Sequence, residues 1–208
     1  MSEGATRSDG MDGASDRADA PRRVVIMGFM GAGKTTVART LAARLGCAAT
    51  DADEFATAFA GQTPREIIDR EGEPRFREIE ARALAEILAD ESARVVALGG
   101  GAWTVASNRD LVARHGCLTV WLDAPFELCW RRIARAGRNA RPLARDREAA
   151  RRLYETRRGL YALASRRVEA SELKSVEMIA AEIENLLRSS EDGRQAQLGE
   201  QGRGTSDG

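Results

Sequence analysis

The residues Gly28-Phe29-Met30-Gly31-Ala32-Gly33-Lys34-Thr35 follow the pattern GxxxxGK[ST], and the chemistry open to that pattern is the holding of a polyphosphate. Phosphate oxygens carry dense negative charge. The backbone N–H groups of Gly31, Ala32 and Gly33 can approach them without side-chain interference, and a helix opening near Lys34 adds its N-terminal dipole. The Lys34 ammonium can reach the β- and γ-phosphates. The Thr35 hydroxyl can ligate Mg²⁺, and Thr36 follows it on the same turn.

Three further groups could serve a second reactant. Asp51-Ala52-Asp53 places two carboxylates at i and i+2, one able to face a metal shell and the other an acceptor. An N-capping pair for the helix over Asp53–Ala60 is the equal alternative, since Asp is a favoured cap. Val95-Val96-Ala97-Leu98 runs into Gly99-Gly100-Gly101, where backbone can lie against a ligand. Between them, Gly72-Glu73-Pro74-Arg75-Phe76-Arg77-Glu78-Ile79-Glu80 opens a helix with an aromatic and two guanidinium groups. Arginine suits a carboxylate because its planar fork donates two parallel hydrogen bonds.

These groups act together only if the fold brings them to one place. Short β-branched runs at Val24–Met27, Arg94–Leu98, Cys117–Leu122 and Arg166–Glu169, with a brief strand ending at Asp51, alternate with helix-period segments. That alternation predicts an α/β fold, a parallel sheet with covering helices, whose strand carboxyl ends form the ligand crevice. The spacing predicts helices over Lys34–Leu45, Asp53–Ala60, Pro64–Arg70, Pro74–Ala89, Val105–His115, Pro125–Ala136, Arg147–Leu163 and Ser175–Leu187. Pro64, Pro74 and Pro125 suit first-turn positions. One domain over residues 21–188 is expected. Residues 1–20 and 189–208, poor in large apolar side chains, are expected to be disordered tails.

Composition bounds the partners. The 208 residues hold 32 Lys+Arg against 32 Asp+Glu, a formal net charge of zero, so no uniformly basic nucleic-acid binder is encoded. The balance hides an asymmetry: residues 131–167 contain 13 arginines and only three acids, Asp146, Glu148 and Glu155. Nucleic acid is not the expected partner, because Tyr154 and Tyr161 are too few for a stacking platform. Cys47, Cys117 and Cys129 have neither metal nor disulfide spacing and are read as buried free thiols. His115, before Gly116 at a helix end, suits a structural role. No stretch approaches the length of a membrane span, and a cytoplasmic protein with no membrane partner is expected.

In order and spacing, GFMGAGKTT, DAD, GEPRFREIE, VVALGGG, VWLDAPFE and RPL followed by RRGLY resemble the shikimate kinases over about residues 22–187. The resemblance implies a P-loop kinase with a three-layer α/β/α architecture, a five-stranded parallel sheet and a mobile lid at about residues 137–147. It implies transfer of the ATP γ-phosphate to the 3-hydroxyl of shikimate, with ATP as co-substrate, Mg²⁺ as metal and a monomer as the acting species. By motif, Asp53 would orient the attacking hydroxyl, and Asp51 with Thr35 would support Mg²⁺. Arg77 and Arg157 would clamp the substrate carboxylate, Gly99, Gly100 and Gly101 would close over the ring, and Phe76 would form a wall. Arg141 would close over ATP phosphate beside Lys34. The chain departs from the family pattern at Ala144 after Leu143 and at Gly159, and the latter leaves Arg158 as an alternative to Arg157. A weak match at Ser171–Ser175 leaves Lys174 as a marginal candidate on the adenine side. The competing readings are a gluconate-type P-loop kinase and a non-catalytic ATP-switch or nucleic-acid-binding module.

Overall fold

Val24-Val25-Ile26-Met27 has no polar side chain to offer water, and strand β1 (Val24–Met27) is accordingly fully buried at the centre of a sheet. The computed structural model describes residues 22–136 and 146–203. Five parallel strands run in the order β2-β3-β1-β4-β5, with β2 at Ala49–Asp51, β3 at Val95–Ala97, β4 at Leu118–Asp123 and β5 at Arg166–Glu169. In register, Val25 lies beside Val96 on one side and Thr119 on the other. The two edge strands are less buried: β5 buries only Val168, matching its weak apolar signal in the sequence.

The helices are α1 (Lys34–Arg44), α2 (Ala52–Ala60), α3 (Pro64–Glu71), α4 (Glu73–Ala89), α5 (Ala106–Arg114), α6 (Phe126–Ala136), α7 (Arg147–Tyr161) and α8 (Val176–Arg203). Local chemistry accounts for their ends. Thr63 and Glu66 form a reciprocal capping box at α3, with Pro64 in the first turn, where its missing N–H costs nothing. His115 is the C-terminal cap residue of α5, as its place before Gly116 suggested. A short 3-10 turn over Ala102–Thr104 was not expected. It buries Trp103, whose indole N–H donates to the Leu160 carbonyl at 2.9 Å and so ties the end of β3 to α7.

Apolar side chains from both sheet faces form one continuous core, and a small satellite of Ile67, Phe76 and Ile79 lies between α3 and α4. Helix α8 packs Ile179, Ile183 and Leu187 inward and lies along α1. It continues past Leu187 to Arg203, and Glu191 accepts a hydrogen bond from the Arg22 backbone N–H at 3.1 Å. The segment expected to be a disordered tail from 189 on is thus helical backbone as far as Arg203, even though Gly193, Gly199 and Gly202 are weak helix formers. Cys117 and Cys129 are buried free thiols; Cys47 differs from expectation in being only half-buried. Residues 1–21 and 204–208, and residues 137–145 with Arg141 and most of the expected lid, lie outside the described residues.

Leu41 on α1 is completely buried beneath the helix that carries the phosphate loop's last residues. Leu41→Ala is expected to lower unfolding stability by about 2–5 kcal/mol, read from urea titration followed by circular dichroism.

Candidate active site

The phosphate loop joins β1 to α1, and its shape demands glycine. Gly31 has φ +78°, and a Cβ there would sit 2.6 Å from the Cys129 carbonyl oxygen on α6. Gly33, at φ +106°, is the N-cap residue of α1 and offers no side-chain cap, so the first helical N–H groups stay available to an anion. The Lys34 ammonium lies across the loop and donates to the Phe29 carbonyl at 3.3 Å.

The Asp51 carboxylate caps a helix with one oxygen and meets the phosphate loop with the other. One oxygen caps α2 by accepting from the N–H groups of Asp53 (2.9 Å) and Glu54 (3.2 Å). The other accepts the Thr35 hydroxyl at 2.5 Å. The Thr35 hydroxyl and this carboxylate are hard oxygen donors at the edge of the phosphate loop. Among the described residues no group of three or more His, Cys, Asp or Glu is placed to hold a metal. The donor set fits Mg²⁺, which takes one or two protein oxygens and completes its shell with phosphate and water.

Asp53 stands in the first turn of α2, facing the turn that follows β3. A Cβ on Gly99 would collide with its Oδ1, and one on Gly101 would collide with the Arg77 guanidinium. A Cβ on Gly100 would sit 2.7 Å from both the Gly28 carbonyl oxygen and the Tyr161 hydroxyl. The three glycines therefore let backbone from β3 lie directly against the phosphate loop, Asp53 and Arg77. Arg77 is paired with Glu73 and Glu80, both at 2.7 Å, and its guanidinium lies over the Phe76 ring at 5.3 Å from the centroid. Phe76 packs in the satellite core with Ile67 and Ile79, so it also supports Arg77 from below.

Glu80 is buried in the midst of these charges. Burial pushes its carboxyl above the ordinary carboxylate range; the Arg77 guanidinium offsets part of that rise, Asp53 adds to it and Arg157 opposes it. For Arg77, burial works against the charged form, and Glu80 and Glu73 outweigh it to hold the guanidinium above its ordinary value. Arg157 is 8% exposed and approaches Glu80 from α7. Arg158 turns the other way: it donates to the Tyr154 hydroxyl at 2.9 Å and pairs with Asp123 at 3.1 Å over the Trp121 ring. Of the two adjacent arginines, Arg157 is the buried one, on the side of Glu80 and Tyr161. Lys174 pairs with Glu182 at 2.9 Å.

Strands β1, β2 and β3 thus end on a shared crevice with the phosphate loop on one wall and a set of opposed charges on the other. Comparison with known proteins decides the family. The sequence model of the family described as shikimate kinase (SKI) matches residues 30–188. The chain belongs to the shikimate kinase family.

It is similar to the shikimate kinase of Cereibacter sphaeroides, 38% identical over 184 residues that make up 87% of this chain and 90% of that one. It is 41% identical over 170 residues to the shikimate kinase of Geobacter sulfurreducens, covering 80% of this chain and 91% of that one. Among solved structures, shikimate kinase from Acinetobacter baumannii in complex with shikimate superposes with a TM-score of 0.76 at 33% identity, covering 85% of this chain and 98% of that one. A gluconokinase from Sinorhizobium meliloti superposes with a TM-score of 0.60 at 20% identity, which shows a shared fold alone. Membership of the shikimate kinase family makes the chain an ATP-dependent phosphotransferase and bears out the α/β architecture with its five-stranded parallel sheet.

Three residues in this region escaped the sequence reading. Glu80 had a visible signal, its i+3 spacing from Arg77 on α4. Arg132 on α6 donates to the carbonyls of Gly31 (3.1 Å) and Ala32 (2.9 Å), across a sequence separation that no local pattern reveals. Tyr161 entered only as the end of the RRGLY match and as one of two tyrosines too few for a stacking platform. Gly31→Ala, which sets a Cβ against the Cys129 carbonyl at a strained φ, is expected to weaken ADP binding at least about tenfold in calorimetry. Unchanged ADP affinity would contradict this account of the loop.

Proposed function

We propose that the chain transfers the γ-phosphate of ATP to the 3-hydroxyl of shikimate, giving ADP and 3-phosphoshikimate, with Mg²⁺ and acting as a monomer in the cytoplasm. The observation that carries the reading is the convergence of Asp53, Arg77, Arg157 and Gly99–Gly101 opposite the phosphate loop. Two guanidinium groups, a carboxylate and a glycine turn with no side chains of its own suit a polyhydroxylated ring bearing one carboxylate. Arg77 and Arg157 hold that carboxylate; Asp53 orients the attacking hydroxyl and takes its proton as the bond to phosphorus forms. The backbone of Gly99, Gly100 and Gly101 closes on the ring, and Phe76 backs Arg77.

On the nucleotide side, the N–H groups of Gly31, Ala32 and Gly33 and the Thr36 turn cradle the phosphates while Lys34 neutralises charge on the transferring group. Thr35 and Asp51 hold Mg²⁺, which supplies neutralisation of the β- and γ-phosphate oxygens when bound. By the resemblance Arg141 would add positive charge on the phosphate side; it lies outside the described residues. Most of the rate then comes from position and electrostatics, so Asp53 need not be a strong base.

The test is ADP release with Mg·ATP and shikimate, quinate or gluconate offered separately. Turnover with shikimate is expected; preference for gluconate, or ATP hydrolysis indifferent to the acceptor, would overturn the reading. Asp53→Asn is expected to abolish shikimate turnover, a fall of at least about a hundredfold, while ADP still binds. Retained turnover would mean that the acceptor site lies elsewhere.

A further inference from the structure

Tyr161, the last residue of α7, is 1% exposed, and its hydroxyl sits between two parts of the acceptor site. It donates to the Gly100 carbonyl at 3.2 Å. The buried Arg157 guanidinium lies beside the same oxygen, where its charge opposes the effect of burial on the phenol. An arginine only donates and a carbonyl only accepts, whereas a hydroxyl does both. The Tyr161 hydroxyl can therefore face the Arg157 guanidinium with its lone pairs while its proton goes to the Gly100 carbonyl.

We propose that Tyr161 is a positioning residue for the acceptor site, a neutral phenol that sets the Arg157 guanidinium and the Gly100 peptide in one fixed geometry. Chain connectivity gives this link its reach. In a trans peptide the Gly100 carbonyl and the Gly101 N–H point in opposite directions, so holding the carbonyl orients the N–H. The same turn rests on the phosphate loop through Gly28, whose carbonyl oxygen would lie 2.7 Å from a Cβ on Gly100. The Tyr161 ring is fixed independently by its contact with Trp121, at 6.3 Å between centroids. Trp103 anchors the neighbouring Leu160 carbonyl from the 3-10 turn. Burial pushes the phenol up to about 12, against the pull of Arg157, so the donor proton stays in place across the working pH range. Ionisation would remove the proton that Tyr161 donates to the Gly100 carbonyl.

The inference rests on the acceptor site proposed above, and the experiment separates the two. If the unaltered protein turns over no shikimate, that reading fails; the inference is judged by comparing variants with an active unaltered protein. Tyr161→Phe keeps the ring and removes the hydroxyl. Its KM for shikimate is expected to rise about tenfold, because the hydroxyl beside the Arg157 guanidinium is lost and the Gly100 carbonyl loses its donor, while its KM for ATP stays within about twofold. In an Arg157→Ala background the same change is expected to add little, because its effect passes through Arg157. An unchanged shikimate KM, equal rises in both KM values, or full additivity with Arg157→Ala would overturn the proposal. So would a Tyr161→Phe protein already unfolded at 15 °C, since that would make the hydroxyl a stabilising group of the whole fold.

Discussion

One carboxylate joins the two halves of this crevice. Asp51 uses one oxygen to cap α2 and the other to accept the Thr35 hydroxyl from α1, so the helix that carries Asp53 is referenced to the helix that carries Lys34. Phosphoryl transfer asks mainly for position, and two reactants held on separate helices are only as well aligned as the helices themselves. The sheet supplies the coarse alignment by ending β1, β2 and β3 at the same edge. Asp51 supplies the fine alignment, since a capping bond and a hydroxyl bond leave its carboxylate little freedom to turn.

Charge in the chain follows the same logic. The zero net charge conceals an excess of arginine over residues 131–167, and most of those guanidinium groups in the described residues hold the scaffold. Arg147 and Arg151 converge on Glu127, joining α7 to α6. Arg158 and Arg167 converge on Asp123 at the end of β4 with Trp121 between them. Arg132 clasps the outer carbonyls of the phosphate loop. Arg157 alone of this set is buried against the acceptor side, where Glu80 and Tyr161 fix it. The exposed pairs add little stability each. Their value is in setting the rotation of α7, which decides that Arg157 and not Arg158 faces the crevice.

Much of this was legible in the chain before any coordinates. The phosphate loop, the Asp51–Asp53 pair and the glycine run at Gly99 are local patterns at strand ends, and local patterns survive reading in one dimension. Strand β5 was faint because an edge strand buries one side chain in four. The choice between Arg157 and Arg158 was closed to sequence because it depends on a helix rotation set by Asp123 and Trp121, residues more than thirty positions away. Arg132 and Tyr161 stayed hidden for a related reason: a surface arginine and a core tyrosine are the commonest readings of such residues, and only tertiary distance distinguishes these two. The continuation of α8 to Arg203 shows the limit of apolar content as a guide to where a helix stops.

The central claim is that the loop at Gly28–Thr35 and the site around Asp53 act on two reactants in one transfer. Phosphorus NMR of the protein with Mg·ATP and shikimate follows the transferred group directly. The account predicts a growing phosphomonoester resonance coupled to a ring proton, equal in amount to the ADP formed. ADP accompanied by inorganic phosphate alone, with no phosphomonoester, would contradict it.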